Sequence, residues 1–246
     1  MSISVIVITK NEAHSIGKCL ESVSWADEII VLDSGSTDDT VGICESYGAK
    51  VSITDWPGFG MQKNRALDLS ACDWVLSLDA DEIVTSELKE EILSAVSRGE
   101  ADAYSLPRSS SYCGRFMRHG GWWPDRVTRL FRRGKARFSE DLVHEKLIVE
   151  GNISALSSPL IHVAFSDLEE VLEKIDRYST AGAQMMAQKN KSSSLTKAVL
   201  HGLWTFFRTY FLKAGFLDGR EGFMLAVSNA EGTYYRYLKR MLMEKR

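Results

Sequence analysis

Over the first 110 or so residues the chain switches repeatedly between two hydrophobic periods, and this alternation limits its fold more than any other feature. Apolar, β-branched runs at 3–8, 28–32, 50–53 and 74–78 are separated by amphipathic stretches at about 12–23, 38–47 and 61–69, with another at 86–96. Short apolar runs alternating with helix-period segments specify βαβ units and a mostly parallel sheet covered on both faces. In open sheets of this kind a ligand binds beyond the carboxyl ends of the strands. Three of those ends carry polar clusters: Thr9-Lys10-Asn11-Glu12, Asp33-Ser34-Gly35-Ser36-Thr37-Asp38 and Asp79-Ala80-Asp81-Glu82.

After about residue 103 the alternation weakens. Short strands are predicted at 126–131, 146–149 and 160–163, following a Gly/Trp/Arg-rich stretch at 114–125. From Ser166 the pattern is helical, and Ser166 with Glu169 has the form of a capping box. A Lys/Asn/Ser hinge at 189–194 precedes helical segments at about 195–212 and 221–242. An apolar content of 44% and a charged content of 26% fit a soluble globular chain. There is no run of roughly 18 apolar residues, so no transmembrane helix is expected. Residues 1–10 lack a basic n-region and read as a first strand rather than a signal peptide. Cys19, Cys44, Cys72 and Cys113 lie far apart without metal-type spacing, which suits a reduced, cytoplasmic chain.

The net charge of −3 is unevenly spread. Between Ser105 and Phe138 there are nine basic residues and one acid, Asp125. Residues 200–246 carry eight basic and four acidic side chains. Such asymmetry points to an anionic partner: phosphate, a membrane surface or nucleic acid.

Asp79 and Asp81 lie at i and i+2, so on extended backbone both side chains point the same way. Paired carboxylates in a crevice repel unless a cation neutralises them, and oxygen donors suit Mg²⁺ or Mn²⁺ together with substrate phosphates. The same residues would equally form a solvated turn capping the next helix. Asp33 is followed by small residues that let backbone N–H groups approach a ligand near a helix start. Thr9, Asn11 and Glu12 could meet a ribose or base, or simply cap.

Four of these segments in order, residues 3–12, residues 28–38, Gln62-Lys63-Asn64-Arg65-Ala66-Leu67 and Asp79-Ala80-Asp81, resemble the family 2 glycosyltransferases. Arg129-Leu-Phe-Arg-Arg133, Val143-His144-Glu145 and Gly215-Phe-Leu-Asp-Gly219 are similar to the branch that contains lipopolysaccharide-core β-1,4-glucosyltransferases. The resemblance implies an α/β fold of GT-A type: a Rossmann-like mixed sheet with helices on both faces, plus a C-terminal helical extension. It divides the chain into a nucleotide-sugar half (1–105), an acceptor half with the catalytic base (106–165) and a helical region (166–246). It implies an inverting hexosyltransferase that uses a UDP-sugar, with glucose preferred, and Mg²⁺ or Mn²⁺. The acceptor would be a lipopolysaccharide core or a related lipid-linked glycan at the cytoplasmic face of the inner membrane.

By position, the resemblance gives Thr9, Asn11, Glu12 and Asp33 to the base and ribose, and places Lys63 and Asn64 near the nucleotide. Asp79 approaches the ribose or donor sugar and shares the metal with Asp81. Many relatives carry two acids where this chain has Asp33-Ser34. Inversion needs one general base opposite the leaving group. Glu145 is the expected base, with Asp141 the next choice. His144 would complete the metal shell, contact the diphosphate, or serve neither role. Arg129 is the expected phosphate contact.

The C-terminal segments combine apolar faces with aromatic and basic residues. That pattern suits either an interfacial helix on anionic lipid or helix packing in a homodimer. A sugar nucleotidyltransferase would need a Gly-rich triphosphate loop after residues 3–8, and none is present. A basic membrane or nucleic-acid adaptor would leave Asp33, Asp79 and Asp81 without a role, and no nucleic-acid module signature is present. Nucleic acid is therefore not an expected partner.

Overall fold

The structure, a computed structural model, describes residues 1–139 and 145–243. Strand β1 (Ile3–Thr9) leads through a turn to helix α1 (Ile16–Ser22), and β2 (Glu28–Asp33) leads to α2 (Thr40–Ser46). Then come β3 (Lys50–Ile53), α3 (Phe59–Asp68) and β4 (Trp74–Asp79). All three neighbour pairs among β3, β2, β1 and β4 are parallel, with Val5 opposite both Ile29 and Leu76. α1 starts later than its periodicity suggests. Asn11 has φ 55°, and the Glu12 carbonyl accepts from Ser15 N and Ile16 N in a turn that delays the helix.

The central strands are apolar at nearly every position because both faces are covered. Val5, Val7, Val31 and Leu76 pack with Ile16, Cys19 and Leu20 of α1. Ile6, Ile30, Leu32 and Val75 turn the other way, toward Ala66 and Leu67 of α3. All four cysteines are free thiols.

β5 (Glu82–Val84) and α4 (Ser86–Arg98) follow; Thr85 caps α4 by accepting from Leu88 N at 3.1 Å, and Gly99 ends it at φ 62°. The later strands are β6 (Ala103–Tyr112), β7 (Arg115–Phe116), β8 (Asp125–Arg132), β9 (Ala136–Phe138), β10 (Leu147–Val149), β11 (Ile153–Ala155) and β12 (Leu160–Phe165). The main sheet runs β3-β2-β1-β4-β8-β6-β12-β5 and becomes mixed where β8 joins β4 antiparallel. β9 and β10 form a separate antiparallel pair.

The chain divides into two compact units: residues 1–108 with 126–162, and residues 109–125 with 163–246. The first holds most of the sheet and helices α1–α4. The second contains α5 (Leu168–Gln188), α6 (Leu195–Phe207), a π turn (Arg208–Leu212), a 3-10 turn (Gly215–Asp218) and α7 (Gly219–Met243). The expected capping box at the start of α5 is displaced by one residue. Asp167 accepts from Glu170 N at 2.9 Å, and Glu170 reaches back to Ser166 N at 2.8 Å, because Asp167 rather than Ser166 takes the extended cap conformation. Tyr112, Met117, Val171 and Leu225 make this unit's core, with Trp122 and Phe165 against it.

Candidate active site

The polar ends of β1 and β2 are knitted together before any ligand is considered. Asp33, 1% exposed, accepts from Gly35 N and Ser36 N at 2.8 Å each and from the Ser36 hydroxyl. Asn11 accepts from Thr37 N at 2.8 Å, and its own N–H donates to Ser36 Oγ. Glu12 N donates to Thr40 Oγ1, while the Glu12 carboxylate accepts from Ser15 Oγ at 2.7 Å. These residues, expected to hold the base and ribose, thus first fix the two strand-end loops at one edge. Thr9 Oγ1 is buried there without a hydrogen-bond partner.

Beyond the end of β4 lies a network of buried and half-buried charges. Lys63 of α3, whose side chain is 4% exposed, places Nζ 2.9 Å from Asp79 Oδ1 and 2.8 Å from Glu145 Oε1. Arg129 of β8 pairs with Asp79 Oδ2 and, at 2.7 Å, with Glu82 Oε1. Glu82 is fully buried; it also accepts from Asp79 N at 3.0 Å and lies 3.4 Å from Arg108 Nη1. Partial removal from water pushes the Asp79 carboxyl up, but Arg129 and Lys63 outweigh this and hold it well below the usual carboxylate range. Burial works against the Arg129 charge, and Asp79 and Glu82 more than compensate.

Several expected residues therefore have concrete partners. Arg129, expected on a phosphate, bridges Asp79 and Glu82. Asn64, expected near the nucleotide, exchanges both amide hydrogen bonds with the Phe138 backbone at 2.9 Å and ties α3 to β9. Glu145 meets Lys63 as described. Asp141 and His144 lie outside the described residues.

Asp81 presents a different environment. Its Oδ2 lies 3.3 Å from Nε2 of His162, in a pair whose side chains are 25% and 14% exposed respectively. β12 places His162 opposite Glu82 of β5, which brings the imidazole to the acidic strand end. The Asp81 carboxylate suits Mn²⁺ or Mg²⁺, whereas the imidazole nitrogen beside it favours Mn²⁺ of the two, because Mg²⁺ takes oxygen ligands. Asp79, with one cation on each oxygen, fits that role less well than Asp81 does. No group of three or more His, Cys, Asp or Glu ligands occurs among the described residues, so remaining coordination would fall to diphosphate and water, as is common for Mg²⁺. Sequence reasoning missed His162 and Arg108, and placed Glu82 in the acidic strand-end cluster without giving it a role. A lone histidine inside an apolar strand pattern carries no spacing signal.

The profile of Glycosyl transferase family 2 matches residues 4–151. The chain belongs to this family. An uncharacterized glycosyltransferase from Rickettsia conorii is 31% identical over 96% of this chain and 89% of its own length. The lipopolysaccharide core biosynthesis glycosyltransferase LpsC of Rhizobium meliloti is 31% identical over 94% of this chain and 88% of its own. Among solved structures, TarS 1–349 of S. aureus superposes with a TM-score of 0.52 at 18% identity, covering all of this chain and 92% of that 1–349 fragment. A second crystal structure of that protein, in complex with UDP-GlcNAc, gives the same TM-score at 15% identity. The fold of this family 2 member is accordingly the expected mixed α/β, GT-A type. No helix among its described residues is long and apolar enough to cross a membrane.

Proposed function

We propose that this glycosyltransferase moves a sugar, glucose in the first instance, from a UDP-sugar to a lipopolysaccharide core or related lipid-linked glycan at the cytoplasmic face of the inner membrane. The similarity to LpsC supports the acceptor class, and a UDP-sugar donor accords with the nucleotide that TarS binds. The observation that carries the reading is Lys63, which joins Asp79 at the end of β4 to Glu145 across two short ion pairs. That arrangement puts a second carboxylate beside the acidic strand end, which supports Glu145 as the base.

In this reading Thr9, Asn11, Glu12 and Asp33 cradle the base and ribose. Asp79, fixed by Lys63 and Arg129, is oriented toward the ribose or donor sugar. Glu145 takes the proton of the acceptor hydroxyl as its oxygen forms a bond to the anomeric carbon. The bond from that carbon to the diphosphate oxygen breaks in the same displacement, with inversion, and UDP leaves. Asp141 remains the next choice for the base. Asp81 would hold Mn²⁺ or Mg²⁺, with His162 a further ligand for Mn²⁺, and the ion would supply positive charge for the leaving diphosphate. Lys63 and Arg129 keep the nearby carboxylates neutralised, so the site does not present several uncompensated negative charges to an anionic donor.

A thermal-shift screen of UDP-, GDP-, ADP- and CMP-sugars, each with and without Mn²⁺, tests the donor. Binding to the folded state raises stability as RT ln(1 + [L]/Kd). UDP-sugars should raise the melting temperature most, and more with Mn²⁺. A larger shift with another nucleotide would replace the donor, and no shift with any would remove the reading.

A further inference from the structure

Helix α6 is built inside out for a helix in water. Its small residues Ala198 and Gly202 are buried. A Cβ on Gly202 would stand 3.4 Å from the Ala230 carbonyl and from Tyr234 Cβ, so it is the small-residue face that packs on α7. Thr205 continues that face, with its hydroxyl 3.3 Å from Thr233 Oγ1 of α7. The large apolar residues face outward. Leu200, Leu203, Trp204, Phe207 and Phe211, at steps of three and four residues, are 45–63% exposed. Leu212, Phe216 and Leu217 extend the exposed surface through the π and 3-10 turns. Soluble monomers seldom leave an apolar surface of this kind uncovered.

The charge around this surface selects its occupant. From residue 189 to 219 the cations are Lys189, Lys191, Lys197, Arg208 and Lys213, all exposed, while the next cation, Arg220, pairs with Glu221. The one acid in that stretch, Asp218, is buried and accepts from the Arg118 and His119 backbone N–H groups. A second copy related by a two-fold axis would set this cationic surface against itself. An anionic bilayer instead meets both features: cations at the headgroups and large apolar side chains below them.

We propose that the outward face of α6 and the following turns is an interfacial anchor for anionic lipid. Leu203, Trp204, Phe207 and Phe211 enter the boundary between headgroups and acyl chains, and Arg208 and Lys213 pair with lipid phosphates. The purpose of this anchor rests on the proposed lipid-linked acceptor, while its physical signature is independent of the transfer chemistry.

The test is flotation of the full chain with vesicles of phosphatidylcholine alone or mixed with phosphatidylglycerol, at low and high salt. The chain should float with the anionic vesicles, less so as salt rises, and stay behind with the neutral ones. The double change Trp204→Ser and Phe207→Ser should weaken flotation about tenfold or more, and Arg208→Glu with Lys213→Glu should abolish the preference for anionic lipid. Melting temperature and the UDP-sugar thermal shift should stay unchanged in both variants, since Trp204, Phe207, Arg208 and Lys213 are all exposed. A chain that remains unbound at low salt overturns the proposal. So does a stable dimer in light scattering that Trp204→Ser dissociates. Loss of UDP-sugar binding in the unaltered chain, with flotation intact, would count against the transferase reading and leave the anchor standing.

Discussion

Lys63 Nζ donates to Glu145 Oε1 at 2.8 Å although 82 residues separate them in sequence, and the same ammonium reaches Asp79. One cation therefore positions both the acidic strand end and the proposed base. Lys63→Gln removes both ion pairs at once. Transfer should fall about 10²-fold or more, whereas Glu145→Gln should lose transfer to a similar extent and keep donor affinity. Steady-state kinetics with calorimetric UDP-sugar titration separates the two effects. Near-normal turnover in Glu145→Gln would move the base to Asp141.

Asp81 and His162 form the proposed metal pair, so Asp81→Ala and His162→Ala should each weaken Mn²⁺ binding in the presence of UDP by about tenfold or more. Titration calorimetry with Mn²⁺ reads this directly. Asp79→Asn should disturb Lys63 and Arg129 more than it disturbs the metal. If instead Asp79→Asn abolishes Mn²⁺ binding while His162→Ala leaves it intact, the two acids exchange roles.

The packing of α3 makes a separate prediction. A Cβ on Gly60 would lie 1.8 Å from the Ser139 carbonyl oxygen and 3.4 Å from Glu145 Cβ. Gly60→Ala must therefore push α3 away from the backbone that leads toward the base. It should lower stability by about 1–3 kcal/mol and reduce transfer, with the melting temperature and turnover falling together. A neutral outcome in both would show that this close approach is dispensable.

Glu28 provides the pH dependence. Its carboxylate accepts from Lys50 and Ser4 at 2.7 Å and from Ala71 N at 3.0 Å, which ties β1, β2 and β3 to the loop before β4. Burial alone would raise its pKa, but Lys50, Ser4 and the Ala71 amide more than reverse this, so the folded value lies below the ordinary one. The unfolded chain then binds the proton first as pH falls. The contribution to stability is complete above the unfolded pKa of about 4.3 and is lost as pH drops through the lower folded value. Chemical denaturation between pH 7 and pH 3 should show this loss, and Glu28→Gln should flatten it while costing about 1–3 kcal/mol at neutral pH.

Much of the first unit was legible in the sequence because a strand buried on both faces must be apolar throughout. The runs at 3–8, 28–32, 50–53 and 74–78 match β1 to β4 within a residue at each end. β6 escaped the same reading. Its Pro107 and the serines at 109–111 break the apolar pattern, yet Ser109, Ser110 and Ser111 are buried in the strand. β5, β9 and β11, three residues each, are too short to show a period. The helical segments at 195–212 and 221–242 were visible as periodic, but periodicity does not say which face a neighbour covers. For α6 the packing against α7 selected the small residues.

The sequence by itself determined the alternation of strand and helix, and with it the gathering of Thr9, Asp33 and Asp79 at one edge of a parallel sheet. Those are local properties, fixed by side-chain period and by the connection rules of βαβ units. Only the tertiary structure decided that Asp79 is clasped by Lys63 and Arg129, that Asp81 faces His162, and that Asn64 is spent on Phe138. These pairings join strands and helices far apart in the chain. They depend on register and on which buried charges must be compensated, and no short window of residues carries that information.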